Sequence, residues 1–437
     1  MNYDKYRNLQ YSEASEIQQV QDKLLSGHIE YCAVNSPFYR DFFKKNKVDF
    51  RKIKTVSDLK NIPFTEKSDI AANNASFQAV SDTEVVDVCL SSATMSDEPI
   101  MIFQTREDIE RLSYNEELAF AMAGITENDT LLVCAALDRC FMAGLAYFLG
   151  GVKLGTRTVR GGAGSAAQLW YLIEKTKATA IVGVASFMMK IAMYAEENGK
   201  KPALQGVKKL ISIGEPVRDK SLALLPVSAE LEKTWNAELY STYASSELAT
   251  SFCECPARRG GHLRPELIVL EIVDKSGNPV PDGETGEVVV TPLGITGMPL
   301  VRFKTGDISF IIDEKCSCGR STVRIGPILG RKGQMLKFRG TTVFPNTILS
   351  AIEDKKYIYG AYVEAATGRD GNDDIKLFAA LNGENPGIEV LKDEIRARTR
   401  VSPEIVIVSK EELDSVVYGS EKKRKRVTFI DRRKNEQ

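Results

Sequence analysis

Three short polar motifs follow one another in the second half of the chain, and their residue types could bind a nucleotide together with its metal ion. They are Thr-Tyr-Ala-Ser-Ser-Glu at 242–247, Arg-Phe-Lys-Thr-Gly-Asp at 302–307, and Gly-Arg-Lys-Gly-Gln-Met-Leu-Lys-Phe-Arg-Gly at 330–340. A carboxylate that ends a hydroxyl-rich turn can bind Mg²⁺, and a carboxylate after a Thr-Gly turn can accept hydrogen bonds from both ribose hydroxyls. The third motif is basic and flanked by glycines, as a hinge would be. No motif is specific alone, so the prediction depends on their order and spacing.

The first two motifs supply candidate ligands of a metal–nucleotide complex. Glu247 is the candidate magnesium ligand, and Asp307 is the candidate ribose contact. Tyr243, Ser245 and Ser246 are candidate contacts of the nucleotide. Each motif also has a purely structural alternative, because the first could cap a helix with an acidic first turn and the second could form a plain hairpin.

Residues 91–99, Ser-Ser-Ala-Thr-Met-Ser-Asp-Glu-Pro, follow a strand-like run at 85–90 and could form a phosphate-binding loop. Backbone N–H groups and the hydroxyls of Ser91, Ser92 and Thr94 could bind the β- and γ-phosphates. The alternative is an ordinary Ser/Thr turn, which the absence of glycine and lysine favours.

A second loop, Gly214-Glu215-Pro216, follows the apolar strand predicted at 210–213. Its backbone groups and its flat surface are candidate contacts of adenine.

Thiols and an imidazole occur in two short segments that could share one metal ion. Cys253 and Cys255 lie shortly before His262, and Cys316 and Cys318 follow later. Zinc prefers these donors, and four protein ligands complete a tetrahedral structural site. One of the five candidates is therefore a spectator, and the prediction omits Cys253. The alternatives are a redox pair or free buried thiols.

The tail carries the basic run Glu-Lys-Lys-Arg-Lys-Arg at 421–426. Lys422, Lys423 or Lys425 could place a positive charge between a carboxylate and a triphosphate, which repel each other. The alternative is a solvated tail, or one that contacts nucleic acid or membrane.

Composition excludes several classes of protein. The chain has 437 residues, of which 43% are hydrophobic and 27% charged, which is typical of a globular protein with two or three domains. Its net charge of -1 provides no overall attraction to nucleic acid or to an anionic membrane. No apolar run approaches the roughly 20 residues of a membrane span. We therefore expect a soluble cytoplasmic protein without nucleic-acid or membrane partners.

The order of predicted elements indicates an α/β fold with a second, smaller domain. Residues 1–65 have a helical pattern, and from about 85 to 310 β-branched runs alternate with helical stretches, which predicts parallel strands with crossover helices. Residues 266–326 have the pattern of antiparallel hairpins. The predicted domains are 1–330, with parallel or mixed sheets and this antiparallel part, and 331–437, a small α+β domain.

Taken together, these motifs resemble the adenylate-forming superfamily, and within it the phenylacetate-CoA ligase family, over essentially the whole chain. Segments at 141–146, 283–287 and 339–345 also look like sequences of this family. The resemblance implies an N-terminal adenylation domain, a mobile C-terminal cap and an AMP-forming acid–thiol ligase. Such an enzyme joins a small carboxylic acid to AMP, using ATP and Mg²⁺, and then passes the acyl group to CoA.

The resemblance also implies roles for individual residues. Ser91, Ser92 and Thr94 match the phosphate loop, with Thr94 also catalytic. Glu247 matches the catalytic magnesium site. Asp307 matches the ribose contact and Arg331 the phosphate side of the hinge. The substrate pocket is expected to include Phe141, Ala244 and Ser245, from their position in the sequence alone. Some members carry a zinc site in the region of the cysteine motifs, and a homodimer is compatible with the family.

The tail is implied to carry the mobile catalytic lysine. Lys423 takes this role when residues 423–427 are aligned with the family's terminal Gly-Lys-x-x-Arg pattern. Lys422 stands where the pattern has glycine, so Lys422 and Lys425 remain candidates.

Two motifs depart from the family pattern. The phosphate loop normally reads Ser-Ser-Gly-Thr-Thr-Gly-x-Pro, but here Ala93 and Ser96 replace both glycines and Met95 replaces the second threonine. Gly333-Gln334 replaces a pair of aspartates at the hinge. A β-carbon at a glycine position can block close approach of the backbone to a phosphate. Two alternatives therefore stay open: adenylation without CoA transfer, and nucleotide binding without turnover. The cysteines and the basic tail offer a third, a zinc-containing nucleic-acid module, which the absence of basic character in the remaining chain disfavours.

Overall fold

The computed structural model describes residues 3–91, 100–338, 341–368, 373–383, 386–399, 401–418 and 427–433. The chain forms two compact units. The first comprises Met1–Ala223, Glu230–Thr305 and Ser309–Pro327. The second comprises Leu224–Ala229, Gly306–Ile308 and Ile328–Gln437.

The α-helices of the described residues lie in both units. They are α1 Ala14–Asn35, α2 Pro37–Lys45, α3 Lys67–Ala72, α4 Arg106–Met122, α5 Met142–Leu154, α6 Ala166–Thr176, α7 Ala185–Glu197, α8 Pro226–Trp235, α9 Pro345–Ser350, α10 Ile388–Thr399 and α11 Lys410–Val417. None of them is long and apolar enough to cross a membrane.

The strands of the described residues also lie in both units. They are β1 Val85–Leu90, β2 Met101–Thr105, β3 Thr130–Cys134, β4 Arg157–Arg160, β5 Ala180–Gly183, β6 Lys209–Ile213, β7 Glu238–Ser245, β8 Thr250–Cys253, β9 Gly261–His262, β10 Ile268–Val273, β11 Gly286–Pro292, β12 Phe303–Ser309, β13 Ile311–Ile312, β14 Arg324–Ile325, β15 Gly330–Arg331, β16 Leu336–Phe338, β17 Thr341–Val343, β18 Ile358–Thr367, β19 Asp373–Leu381, β20 Glu404–Ile407 and β21 Phe429–Asp431.

A six-stranded sheet is the centre of the first unit. Its order is β4-β3-β5-β6-β7-β8, and its strands are parallel except for β8, which pairs antiparallel with β7. Every residue of β3 and β5 is buried, as expected for parallel strands covered on both faces. The prediction of parallel strands with crossover helices is confirmed for this sheet.

Helices α4 and α5 pack closely on this sheet. Thr105 caps α4, because its hydroxyl accepts from the backbone of Asp108 at 3.2 Å while the Asp108 carboxylate accepts from the Thr105 backbone at 3.0 Å. Gly150 allows α5 to approach α4, since a β-carbon there would lie 2.3 Å from Cβ of Glu116. Phe120 of α4 and Tyr147 of α5 are buried against strand residues in one core cluster.

The antiparallel part contains two groups of strands. β10 pairs with β11 over six positions, and β12 continues that sheet, while β9, β14 and β13 form a smaller one. The structure corrects the sequence pattern at 85–105, because β1 and β2 pair as an antiparallel hairpin and not as parallel strands. Only the ten residues 91–100 separate β1 from β2, which is fewer than the dozen or more that a parallel crossover needs.

The second unit has its own core around a four-stranded sheet of order β20-β19-β18-β21. β18 and β19 pair antiparallel over most of their length, and β20 and β21 are parallel to their neighbours. Val363, Leu377 and Ile395 are fully buried in one cluster that includes residues of α9 and α10. Tyr362 and Phe378 stack at 4.7 Å in a second cluster with Leu413 of α11. Alternate positions of the two strands therefore supply two cores.

Candidate active site

The carboxyl ends of the parallel strands bring most of the predicted site residues of the first unit to one edge of its sheet. The direction in which the chain adds strands to the sheet reverses between β3 and β5. The chain places β4 on one side of β3 and then places β5 on the other side. In open α/β sheets, ligands bind outside the carboxyl ends of the strands at such a reversal. Phe141 follows β3, residues 214–216 follow β6, and Glu247 follows β7.

Glu247 lies in the tight connection between β7 and β8. Ser245 pairs with Thr250, and the backbone N–H of Ala249 donates to the carbonyl of Ser245 at 3.2 Å. Ala249 has a φ of 43°, a left-handed conformation that is uncommon for alanine. The structural alternative for this motif, a helix cap, is wrong, because strand β8 and not a helix follows.

A buried arginine anchors this hairpin. Arg111 of α4 is 0% exposed and donates to the backbone carbonyl of Ala249 at 2.5 Å and to the hydroxyl of Thr250 at 2.8 Å. It also donates to the carbonyls of Leu267 at 2.6 Å and Leu293 at 2.8 Å. Arg111 therefore ties the turn that carries Glu247 to α4 and to the antiparallel sheet, and it compensates the strained backbone at Ala249.

Glu247 has a cationic partner from the N-terminal region. Nζ of Lys67, the first residue of α3, lies 3.3 Å from Oε1 of Glu247. The Glu247 side chain is 10% exposed and the Lys67 side chain 30% exposed. The predicted magnesium ligand is thus a largely buried carboxylate beside a positive charge.

The other candidates on β7 do not share one face of the strand. Tyr243 stacks on Phe252 of β8 with ring centroids 5.9 Å apart. Ala244 and Ser245 are consecutive residues of β7, so their side chains point to opposite faces. Ser246 is partly exposed in the hairpin. The predicted substrate-pocket residues Ala244 and Ser245 therefore face opposite sides of the sheet, and their contact with a substrate stays a prediction.

The 214–216 loop follows β6 and contacts the start of α7, the helix that follows β5. The Glu215 carboxylate accepts from the backbone N–H of Ser186 at 2.9 Å and from its hydroxyl at 2.7 Å, at the start of α7. Gly214 is exposed with a φ of 71°, a left-handed conformation that glycine adopts easily. Glu215 thus fixes the loop, which leaves the backbone of Gly214 and the ring of Pro216 at its surface.

The predicted phosphate loop is described only at its start. Ser91 is buried, its backbone N–H donates to Ile100 at 2.9 Å, and its hydroxyl has no partner within the described ranges. A buried hydroxyl without a partner suits a ligand oxygen. Leu90 donates to the carbonyl of Cys140 at 2.8 Å, which ties this strand end to the loop before Phe141. Ser92 and Thr94 lie outside the described residues.

Asp307 and Arg331 lie together in the second unit. They are paired residues of β12 and β15, with Nε of Arg331 3.3 Å from Oδ1 of Asp307. The predicted Thr-Gly turn before Asp307 is wrong, since Thr305 and Gly306 lie within β12. Gly306 has a φ of 77°, which permits a local irregularity in the strand without ending it. The tail candidates Lys422, Lys423 and Lys425 lie outside the described residues.

Four of the five metal candidates meet at a second location in the first unit. One ligand atom from each of Cys255, His262, Cys316 and Cys318 lies within 4.8 Å of the others. Sγ of Cys255 is 3.5 Å from Sγ of Cys316, and Sγ of Cys318 is 3.4 Å from Nε2 of His262. Cys253 lies elsewhere, in the core of the central sheet.

The protonation of His262 and Cys318 suits a metal site, whereas burial raises the pKa of the Cys255 thiol to about 12. Burial lowers the pKa of His262 to about 3, with Arg320, Arg324 and Arg264 adding to the effect, so its imidazole is neutral. Thr322 holds Nδ1 of His262 at 3.0 Å, which leaves Nε2 facing the thiols. Burial disfavours the thiolate of Cys318, but hydrogen bonds from Arg320 outweigh it and lower the pKa.

Polar groups on α4 reinforce the hairpin that carries Glu247. Asn115 donates to the hydroxyl of Ser251 at 2.9 Å and to Oε1 of Glu116 at 2.8 Å. Oε2 of Glu116 is buried without a partner within the described ranges. Burial raises the pKa of Glu116 from 4.5 to about 7, although Ser251 and Arg264 partly offset it.

Replacing Glu116 by glutamine should therefore change the pH dependence of stability. A carboxyl whose pKa is raised by folding binds more protons in the folded state, so the native protein loses stability as pH rises from about 4.5 to about 7. Glu116→Gln should be about 1–3 kcal/mol more stable than wild type at pH 8 and nearly equal to it at pH 4. Thermal unfolding at several pH values measures this difference. The exposed Glu110→Gln on the same helix is the control, and identical pH slopes for Glu116→Gln and wild type would contradict the assignment.

Two residues of the candidate site carry no recognisable sequence signal. Lys67 stands in an ordinary charged segment, and Arg111 occupies a helical position that resembles any other basic residue. Both act through contacts with residues distant in the sequence. Only hydrophobic context could have indicated Arg111, because Ile109 and Leu112 beside it are apolar.

Comparisons with known proteins identify relatives over most of the chain. A family model described as AMP-binding enzyme matches residues 110–297. The phenylacetate-coenzyme A ligase of Thermus thermophilus is 27% identical over 390 residues, which cover 87% of this chain and 85% of that protein. The Escherichia coli protein of the same name is 23% identical over 420 residues, covering 92% of this chain and 93% of its own length.

A solved structure has the same fold. A crystal structure of 2-hydroxyisobutyryl-CoA ligase in the postadenylation state, in complex with R3-HIB-AMP, superposes with a TM-score of 0.83 at 21% identity. The match covers 98% of this chain and 91% of that chain. The predicted α/β fold class is confirmed. Over most of its length the chain is therefore similar to phenylacetate-coenzyme A ligases, and its residues 110–297 match the AMP-binding enzyme model.

Proposed function

We propose that this protein is an ATP-dependent, AMP-forming acid–CoA ligase. The observation that carries the proposal is the Glu247 carboxylate, held on an Arg111-anchored hairpin at the carboxyl edge of the parallel sheet, in a chain similar to phenylacetate-coenzyme A ligases. Such an edge is where nucleotides bind in α/β folds. Oxygen ligands of this type suit Mg²⁺, and a bound magnesium ion would neutralise charge on the phosphates.

In the first step, an oxygen of the substrate carboxylate attacks the α-phosphorus of ATP. A new P–O bond forms, the bond to the β-phosphate oxygen breaks, and pyrophosphate leaves with its electron pair. Asp307 would accept hydrogen bonds from the ribose, Ser91 would donate its hydroxyl to a phosphate oxygen, and Lys423 would bring a positive charge to the reacting anions. Lys422 and Lys425 remain alternatives to Lys423.

In the second step, the sulfur of CoA attacks the carbonyl carbon of the acyl-adenylate. The C–S bond forms, AMP leaves with the oxygen that came from the carboxylate, and the thiol proton is released to solvent or a base. We propose that residues 330–340 act as the hinge of a C-terminal cap, so that Lys423 serves the first step and leaves for the second.

An assay of pyrophosphate release across aryl and short aliphatic acids tests the function. We expect release that depends on the acid, and a thioester product only when CoA is present. Pyrophosphate without a thioester would indicate an adenylating enzyme that uses another acceptor. ATP binding without acid-dependent release would indicate a nucleotide-binding homologue and would reject the proposal.

We further propose that Cys255, His262, Cys316 and Cys318 bind one structural zinc ion. In a tetrahedral site with Zn–S bonds of about 2.3 Å, neighbouring sulfur atoms lie about 3.8 Å apart. The Cys255–Cys316 separation of 3.5 Å supports this geometry, and four protein ligands leave no open position for chemistry. Arg320 and Ser321, beside these ligands, bond to Gln10, so the metal would also stabilise the position of the N-terminal segment.

Purified protein should contain about one zinc ion per chain. Cys316→Ser should lose this ion and lower the Tm by several degrees, because a tetrahedral site loses a ligand. Cys253→Ser is the matched control and should retain the metal. Metal analysis by mass spectrometry measures both, and zinc retention by Cys316→Ser with loss from Cys253→Ser would reverse the ligand assignment.

The cytoplasmic location and the homodimer stay predictions from composition and from family resemblance. Size-exclusion chromatography with light scattering measures the number of chains in the assembly.

A further inference from the structure

The contact between Lys67 and Glu247 joins two parts of the chain that are distant in sequence. Lys67 begins α3, and its Nζ lies 3.3 Å from Oε1 of Glu247. Glu247 is the carboxylate that we propose as a magnesium ligand. If Glu247 binds the magnesium ion of a nucleotide, the outer phosphates bound to that ion would lie close to the Lys67 ammonium group.

The segment before Lys67 is held rigidly against the antiparallel sheet. The backbone N–H of Thr65 donates to the carbonyl of Arg302 at 3.1 Å, and the backbone N–H of Lys304 donates to the carbonyl of Thr65 at 2.9 Å. The hydroxyl of Thr65 donates to Val301 at 2.8 Å, and Arg302 donates to the carbonyl of Ile62 at 2.6 Å. These hydrogen bonds fix the backbone just before Lys67, and therefore the point from which the Lys67 side chain extends.

Stability does not account for this arrangement. The Lys67 side chain is 30% exposed, so solvent screens its pair with Glu247 and limits what the pair contributes to folding, although Glu247 is only 10% exposed. The backbone bonds of Thr65 hold the segment without any help from the Lys67 ammonium group. Replacing Lys67 should therefore leave the fold intact, which makes its effect on ligands measurable.

We propose that Lys67 is a nucleotide-binding residue whose ammonium group is shared between Glu247 and the β- and γ-phosphates of ATP. The inference rests on the proposed function, because it takes Glu247 as the metal site. The positive charge of Lys67 has opposite effects on the binding of ATP and of a divalent cation. It attracts the phosphates, and it repels a divalent cation that binds Glu247 without nucleotide.

The test is direct binding, without turnover. ATP binding is measured by calorimetry with EDTA present, so that the phosphates meet Lys67 without a metal. Lys67→Met should weaken this binding by about tenfold, and Lys67→Arg should stay within about threefold of wild type. Binding of Mn²⁺ without nucleotide, followed by electron paramagnetic resonance, should become about threefold tighter in Lys67→Met.

The matched control is Lys60→Met, an exposed lysine of the same N-terminal region, which should change neither affinity. A purely structural role for Lys67 would weaken ATP and Mn²⁺ together. Weaker Mn²⁺ binding in Lys67→Met, or ATP binding within about twofold of wild type, would overturn the inference. If wild-type protein releases no pyrophosphate with any acid, the inference and the proposed function fall together. Normal release by wild type, with no ATP binding in EDTA or with unaffected binding in Lys67→Met, rejects the inference alone.

Discussion

Replacing Glu247 by glutamine should reduce acid-dependent pyrophosphate release by on the order of 10²- to 10³-fold. Glutamine keeps the size of the side chain and its hydrogen-bonding atoms but removes the negative charge that would hold the metal. The 10% exposure of Glu247 means that water can replace little of what the carboxylate supplies. Initial rates at saturating acid and varied Mg²⁺ measure the loss, and the variant should also require more Mg²⁺.

Two comparisons separate this effect from general damage. Glu238→Gln alters an exposed glutamate at the amino end of the same strand and should change the rate by less than about twofold. Thioester formation from supplied acyl-AMP should be much less affected by Glu247→Gln, since pyrophosphate has already left. A full rate of pyrophosphate release in Glu247→Gln would remove this residue from the metal site.

Replacing Arg111 by methionine should destabilise the protein by about 3–5 kcal/mol. Methionine fills a similar volume but leaves the carbonyls of Leu267, Leu293 and Ala249 buried without their donor. The nearby carboxylates of Asp108 and Glu266 would also lose a positive neighbour. The Tm and the urea midpoint of unfolding measure the cost.

Arg106→Met provides the matched control, because Arg106 is exposed on the same helix. We expect it to change stability by less than about 0.5 kcal/mol. Arg111→Met should also lower adenylation below the level that its folded fraction explains, since the turn of Glu247 loses its anchor. An Arg111→Met protein as stable as wild type would contradict the anchoring role.

The inner strands of the central sheet were predictable because β3, β5 and β6 coincide with short apolar runs. Leu210 to Ile213, for example, is almost wholly apolar and lies between turn residues, and it forms β6. The antiparallel pairing of β1 and β2 was not predicted, since the intervening residues carry no pattern that fixes their length as a hairpin. The prediction of a turn at Thr305-Gly306 was wrong for a related reason, because a glycine inside a strand has the same sequence signature as a glycine in a turn.

The candidate metal cluster was predictable from residue chemistry, and the surroundings of Glu247 were not. Thiols and imidazole are rare enough that their grouping carries information, and Cys255 and His262 approach Cys316 as that grouping indicates. Lys67 and Arg111 belong to residue types that occur throughout the chain. Their contacts depend on how α3 and α4 pack, which local periodicity does not specify.

The fate of a labelled carboxylate oxygen tests the central claim, acyl-adenylate formation, most directly. The protein is incubated with ATP, Mg²⁺, CoA and a substrate acid labelled with ¹⁸O, and the products are analysed by mass spectrometry. We predict one ¹⁸O atom in AMP and none in pyrophosphate, because the carboxylate attacks the α-phosphorus and its oxygen stays there when the thioester forms. Label in pyrophosphate or phosphate, or thioester formed with unlabelled AMP, would contradict an acyl-adenylate intermediate.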